Sequence, residues 1–125
     1  MKFLHTMIRV SDIKKSLDFY QNILGLKLSR TKELSDATLY FLTDETCSCE
    51  IELTHNHTLP EDGYTLGSAF GHFAFETDDM NKFSELIKNK GIEYTWKPFK
   101  ITPTGSTIAF IKDPDGYQIE IIEQK

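Results

Sequence analysis

Cysteine is nearly missing from this 125-residue chain, with only Cys47 and Cys49. The two stand too close together for an easy disulfide, and a single C-x-C pair lacks the partners that a zinc cluster needs. They read as small side chains on one face of a strand in a reducing compartment. Long apolar runs are missing too, so no segment is expected to span a bilayer. Met1–Leu4 runs straight into His5 and Arg9 with no apolar export signal between, which gives the expectation of a cytoplasmic chain. No basic cluster stands out against a net charge of -5, so nucleic acid and anionic membrane are poor partners. What the chain does have is core material. Its apolar share of 39%, with nine Phe and five Tyr, can fill one domain of ordinary size.

The organisation comes from an internal repeat. His5 is followed by a strand, Asp12, an amphipathic helix, Gly25, and strands that run to Glu52. His72 is followed by a strand, Asp78, a helix, Gly91, and strands that run to Glu120. The His-to-Glu separation is 47 positions in the first copy and 48 in the second, and the His-to-Gly separation is 20 and 19. The expected fold is α+β: two βαβββ modules forming curved mixed sheets with helices outside, in a single domain. The first module covers about 1–56, a Pro- and Gly-containing connection covers 57–70, and the second module covers about 71–125.

In the first copy the spacing predicts a strand over 2–10, with His5, Met7 and Arg9 on one face and Leu4, Ile8 and Val10 opposed to them. Ser11 or Asp12 caps a helix whose stripe is Ile13, Leu17, Tyr20 and Leu24. Strands follow over 26–31, 38–43 and 48–56, the last placing Glu50, Glu52, Thr54 and Asn56 on one face. In the second copy, His72, Ala74 and Glu76 share a strand face. Asp78 or Asp79 caps a helix with Met80, Phe83 and Ile87 buried. Strands are expected over 92–97, 106–112 and 117–123, with 98–105 irregular. Asp113-Pro114-Asp115-Gly116 is a hairpin turn.

In every one of these strands, His5, Glu52, His72 and Glu120 point away from the large apolar residues. With helices covering the apolar faces, the four project to a common concave side. Two imidazoles and two carboxylates suit a divalent transition metal, with open positions for water or substrate. Taken singly, a strand His is more often a hydrogen-bonded structural residue and a strand Glu more often a solvated one than a ligand. The repeat of the same pair at the same offset favours the ligand reading. His55 and His57 have no counterpart in the second copy and are expected to be exposed. Each half is small for an independent core, and its sheet has edges that need partners. A two-fold dimer would put the metal at a seam between halves.

Further residues carry a resemblance: Leu4-His5-Thr6-Met7-Ile8-Arg9-Val10, Ser16-Leu17-Asp18-Phe19-Tyr20, Leu24-Gly25-Leu26-Lys27-Leu28, Ile51-Glu52-Leu53-Thr54-His55-Asn56, Gly71-His72, and Asp113-Pro114-Asp115-Gly116-Tyr117-Gln118-Ile119-Glu120. In joint order and spacing these resemble the vicinal oxygen chelate superfamily and, within it, the short bacterial glyoxalase I (lactoylglutathione lyase) group. The resemblance implies a homodimer. It implies one divalent metal per site on His5, Glu52, His72 and Glu120, with nickel favoured and zinc or cobalt as alternatives. It further implies isomerisation of the methylglyoxal–glutathione hemithioacetal to S-lactoylglutathione, with Glu120 as the proton-carrying base and Glu52 acting on the opposite face. Arg9 and Asn56 match positions that hold the γ-glutamyl end of glutathione.

One stretch departs from that group. Its Lys-Gly-Gly-type loop reads here Lys100-Ile101-Thr102-Pro103-Thr104-Gly105, with Thr102 in the slot expected for lysine. Lys97 or Lys100 remains to meet a carboxylate, and another thiol or substrate is the alternative. Ring-cleaving dioxygenases and fosfomycin-inactivating transferases of this superfamily typically have His at the place of Glu52. Metal-free proteins of the bleomycin-sequestering type lack the four-residue set.

Overall fold

A computed structural model of the chain describes residues 1–101, 103 and 105–124. It divides into two compact units, Met1–Thr65 and Leu66–Lys125. Unit 1 contains β1 (His5–Arg9), a helix α1 (Ile13–Asp18) that runs on as one π-turn (Phe19–Ile23), β2 (Lys27–Glu33), β3 (Ala37–Thr43) and β4 (Glu50–Asn56). Unit 2 contains β5 (His72–Glu76), α2 (Met80–Asn89), β6 (Trp96–Lys100), β7 (Thr107–Lys112) and β8 (Gln118–Glu123). The βαβββ order thus occurs twice. The sheet orders are β1-β4-β3-β2 and β5-β8-β7-β6, with the first pair parallel and the others antiparallel in both.

The helical crossover returns the chain so that the second strand runs in the direction of the first, and the two antiparallel turns that follow bring the fourth strand beside the first and parallel to it. In both units an aspartate begins the crossover. Asp12 accepts from the Lys15 amide and Asp79 from the Lys82 amide, so Asp79 rather than Asp78 is the second cap. Gly25 and Gly91 then end the helical segments at φ values of 74° and 72°, a backbone that a side chain would strain. The α2 stripe is as the spacing predicts: Met80, Phe83 and Ile87 are buried with Ala109, Ile111, Ile119 and Ile121 of the sheet.

Three expectations need correction. In α1 the buried residues are Ser16, Phe19, Tyr20 and Ile23, while Ile13, Leu17 and Leu24 are half-buried. The π-turn, closed by Leu24 N–H donating to Phe19 O at 3.2 Å, adds a residue to the last turn and rotates the stripe away from a 3.6-residue period. Cys47 and Cys49 lie in an exposed turn and not on a strand. Asp44 binds the Thr46 amide and hydroxyl, Cys47 sits at φ 54°, and pairing resumes only at Glu50. The strand predicted over 92–97 begins instead at Trp96. Ile92 is still tied to the helix through its N–H to Ile87 O, and the Tyr94 hydroxyl bonds Ser84 Oγ, so ladder pairing waits for the Thr95 amide on Phe110 O. Pro98 is tolerated in β6 because this is an outer strand whose register breaks between Trp96 and Phe99.

Candidate metal centre

Each unit places its histidine at the start of an outer strand and its glutamate on the neighbouring inner strand. The registers coincide. His5 stands opposite Glu50, two residues before Glu52, and His72 stands opposite Gln118, two residues before Glu120. Period-two alternation then sets each histidine and glutamate diagonally on one face. His5 Nε2 lies 3.3 Å from Glu52 Oε1, and His72 Nε2 lies 3.0 Å from Glu120 Oε2. The carboxylates are largely covered, with side-chain exposures of 10% and 15%, while the imidazoles are open at 37% and 41%.

Those spacings fit two ligands on one cation. Donor atoms at about 2.1 Å from a divalent transition metal sit about 3.0 Å apart at a right angle and about 3.4 Å apart at a tetrahedral angle. Each unit brings two such donors together. Among the described residues no group of three or more His, Cys, Asp or Glu could hold a metal ion. A pair alone falls short of the three or four protein ligands a transition metal takes.

The pairs share a third element that the sequence reading did not single out. Phe41 is opposite Glu52 on β3 and meets the His5 ring edge-on at 5.7 Å; Phe110 is opposite Glu120 on β7 and meets His72 edge-on at 5.4 Å. Such contacts fix the plane of an imidazole. The available signal was an aromatic about ten residues before each glutamate, in a strand already read as such.

Around these pairs the copies differ. In unit 1 the Arg30 guanidinium lies 3.7 Å above the Phe41 ring and 3.1 Å from Glu50 Oε1. The Ser29 hydroxyl donates to the other Glu50 oxygen. The Ser29 bond, with Arg30 behind it, holds the Glu50 carboxyl below its ordinary range against the opposing effect of partial burial. In unit 2, Trp96 stands opposite Phe110 and Gln118 takes the place of Glu50; the buried Gln118 Oε1 has no hydrogen-bond partner among the described residues. Arg9 is exposed and opposite Thr54, on the His5 face, with Asn56 two residues further along β4. The Tyr64 hydroxyl, from outside any strand, donates to Asn56 Oδ1 at 3.1 Å. The matching places in unit 2 hold Glu76 and Gln124, joined by an amide-to-carboxylate bond of 3.0 Å.

The other candidates fall elsewhere. His57 is exposed, as expected, and its Nε2 is 3.1 Å from Thr38 Oγ1, while His55 is half-buried on the opposite face of β4 from Glu52. Lys97 lines a hollow of about 630 Å³ between the end of α2 and the start of β6, with Ser84, Ile87 and Tyr94. Lys100 is opposite Thr107, one residue out of phase with the strand face that carries Phe110 and Glu120. Thr102 lies outside the described residues. No described helix is long and apolar enough to cross a membrane.

A duplicated βαβββ unit that offers one histidine and one glutamate per copy defines a class. Residues 2–121 match the Glyoxalase/Bleomycin resistance protein/Dioxygenase superfamily, and the chain belongs to it. Among its relatives, the lactoylglutathione lyase of Neisseria meningitidis is 45% identical over the whole of this chain and 92% of its own length. That of Escherichia coli O157:H7 is 42% identical, over the whole of this chain and 94% of its own. Solved structures agree. Glyoxalase I from Zea mays superposes with a TM-score of 0.85 at 35% identity, covering 98% of this chain, which spans 47% of the maize chain. The trypanothione-dependent glyoxalase I of Leishmania major superposes with a TM-score of 0.80 at 32% identity, over 98% of this chain and 86% of that one.

Proposed function

We propose that this chain is a lactoylglutathione lyase, a cytoplasmic homodimer that isomerises the methylglyoxal–glutathione hemithioacetal to S-lactoylglutathione. The observation that carries the reading is the duplicated His–Glu pair, in the same register and at ligand spacing in both units, on a chain whose full-length relatives bear that name. His5, Glu52, His72 and Glu120 would together hold one divalent cation, with nickel favoured and zinc or cobalt as alternatives. Their nitrogen and oxygen donors suit such an ion. Exposed Phe3, Leu4 and Met7 beside β1, and Trp96, Phe99 and Ile101 along β6, leave apolar surface for a second copy to cover.

The reaction moves a proton between adjacent carbons, the first next to a carbonyl. A bound divalent cation supplies the Lewis acidity that makes such a carbon acid ionisable near neutral pH. Glu120 takes the proton and returns it to the neighbouring carbon. Among the described residues the His72 imidazole is the one polar partner of its carboxylate. Glu52 faces the other side of the substrate. Arg9 and Asn56, with Asn56 oriented by Tyr64, hold the γ-glutamyl end.

One observation favours a second reading, in which the thiol differs from glutathione. Lys97 is turned to the α2 hollow, leaving the family's partner for the glycine carboxylate unassigned. The test is thioester formation by the purified protein with methylglyoxal, in separate runs with nickel, cobalt and zinc, and with glutathione or trypanothione. Product with glutathione is expected. Product only with another thiol selects the second reading, and none with any metal or thiol overturns both. In the same preparations His72→Ala should abolish stoichiometric metal binding.

A further inference from the structure

We infer that Thr54 is a positioning residue that makes Glu52 the stationary carboxylate of the pair, and that Ile122, in the equivalent place, is what leaves Glu120 free to move. The inference rests on the metal-site reading above. The two positions are matched by register. Thr54 follows Glu52 by two residues and lies opposite Arg9 and Leu39; Ile122 follows Glu120 by two and lies opposite Glu76 and Ile108. Strand register and the place relative to the histidine therefore correspond, and the side chain two positions after each glutamate differs between a hydroxyl and an alkyl group.

Thr54 Oγ1 donates to Glu52 Oε2 at 2.6 Å, while Oε1 is the oxygen turned to His5. Both residues are buried, at 7% and 6% exposure, so water does not compete for this bond. A hydroxyl bond to an ionised carboxylate is among the stronger hydrogen bonds, more so where the surroundings are dry. The threonine side chain is β-branched with a restricted χ1, so it anchors the carboxylate rather than following it. One oxygen is tethered and the other is presented. Ile122 has no donor to give. A carboxylate that must leave its resting place, collect a proton and return needs that freedom, whereas a permanent ligand gains from being fixed in advance.

The experiment uses the full chain, freed of metal and titrated with nickel against a chromophoric chelator, alongside kcat, KM and the metal-free thermal midpoint. Thr54→Val removes the hydroxyl at nearly constant volume, and Thr54→Ser keeps it. Thr54→Val is expected to weaken nickel binding on the order of 10- to 100-fold, as loss of a partner behind a ligand does, with Thr54→Ser restoring most of it. The reciprocal change, Ile122→Thr, is expected to tether Glu120. It should lower kcat about tenfold or more, the cost of breaking one charge-assisted bond during turnover, without weakening nickel binding. Should Thr54→Val fail to fold, Ile122→Thr carries the test alone. Thr54→Val binding nickel as tightly as the parent, valine and serine weakening it equally, or Ile122→Thr turning over at the parental rate each overturns the inference and leaves the proposed function standing. A parent protein that binds neither nickel, cobalt nor zinc overturns both.

Discussion

Phe41→Leu separates the aromatic contact behind His5 from simple burial. Phe41 is 3% exposed on the inner strand β3. Leucine retains most of its apolar volume, so repacking costs less than about 1.5 kcal/mol. The edge-on contact with His5 at 5.7 Å is lost, worth about 0.5–1.5 kcal/mol. So is the Arg30 stack at 3.7 Å, about 0.5–1 kcal/mol for a cation as open as this one. Together these give a destabilisation of roughly 2 kcal/mol, or about 8 °C in Tm for a chain of this size. Phe110→Leu is the internal control. It loses the edge contact with His72 at 5.4 Å and a ring contact with Trp96 at 6.5 Å, but no cation, and starts half-buried. It should cost about half as much. Thermal unfolding by circular dichroism gives both numbers, and the His5 imidazole proton shifts report whether the ring has turned. A Phe41→Leu loss below about 0.5 kcal/mol, or a larger loss at Phe110, would refute the assignment of Phe41 as the buttress of His5.

Three further outcomes are expected. Glu120→Gln keeps a ligating oxygen but no basic one, so bound metal should persist while kcat falls by about 10²–10⁴; unchanged turnover would remove Glu120 as the base. Glu50 is held below its ordinary value of 4.5, first by Ser29 and then by Arg30. Its stabilisation is thus fully present above that value and is lost as pH falls through the lowered one. The gap in urea midpoint between the parent and Glu50→Gln should close on acidification, and a gap that widens would show the sign to be wrong. Tyr64→Phe removes the donor on Asn56 and should raise KM for the thiol substrate roughly 2- to 10-fold at constant kcat; a change confined to kcat would contradict a binding role for Asn56.

The fold was legible because duplication prints each signal twice. Either His-to-Glu interval alone is an accident; both together define a unit, and the strand phases put the donors on matching faces. The α2 stripe was legible because nothing disturbs its 3.6-residue period. The α1 stripe was not, since a π-turn is a hydrogen-bond choice that composition does not encode. The start of β6 was misplaced because Ile92 and Tyr94 have strand-forming side chains that are committed to the helix end instead. At the site, the two His–Glu pairs follow from residue type and phase, while Arg9 and Asn56 are singled out by the family resemblance, with phase only permitting them. Phe41, Phe110, Thr54 and Tyr64 follow from neither. Their chemistry is ordinary, and only the folded chain, through strand register for the two phenylalanines and hydrogen bonds for Thr54 and Tyr64, shows which side chain each one holds.

The same register explains how a duplicated scaffold can treat an asymmetric substrate. Two identical half-sites would accept a substrate in either sense with equal energy. The copies agree at His, Glu and Phe and disagree at the surrounding positions. Arg9 is matched by Glu76, Asn56 by Gln124, Thr54 by Ile122 and Glu50 by Gln118. The first exchange is the decisive one in the proposed reaction. A carboxylate about 4 Å from a guanidinium gains about 1 kcal/mol even at the dielectric of water, and the same carboxylate beside Glu76 loses as much. The difference of about 2 kcal/mol corresponds to roughly a thirtyfold preference for one orientation, larger wherever water is excluded. Gln124 already bonds Glu76, so the second copy's pair is engaged with itself. In the proposed reaction, orientation would thus come from the residues at which the two copies differ, and it would decide which glutamate meets the migrating proton: the one with isoleucine two positions on.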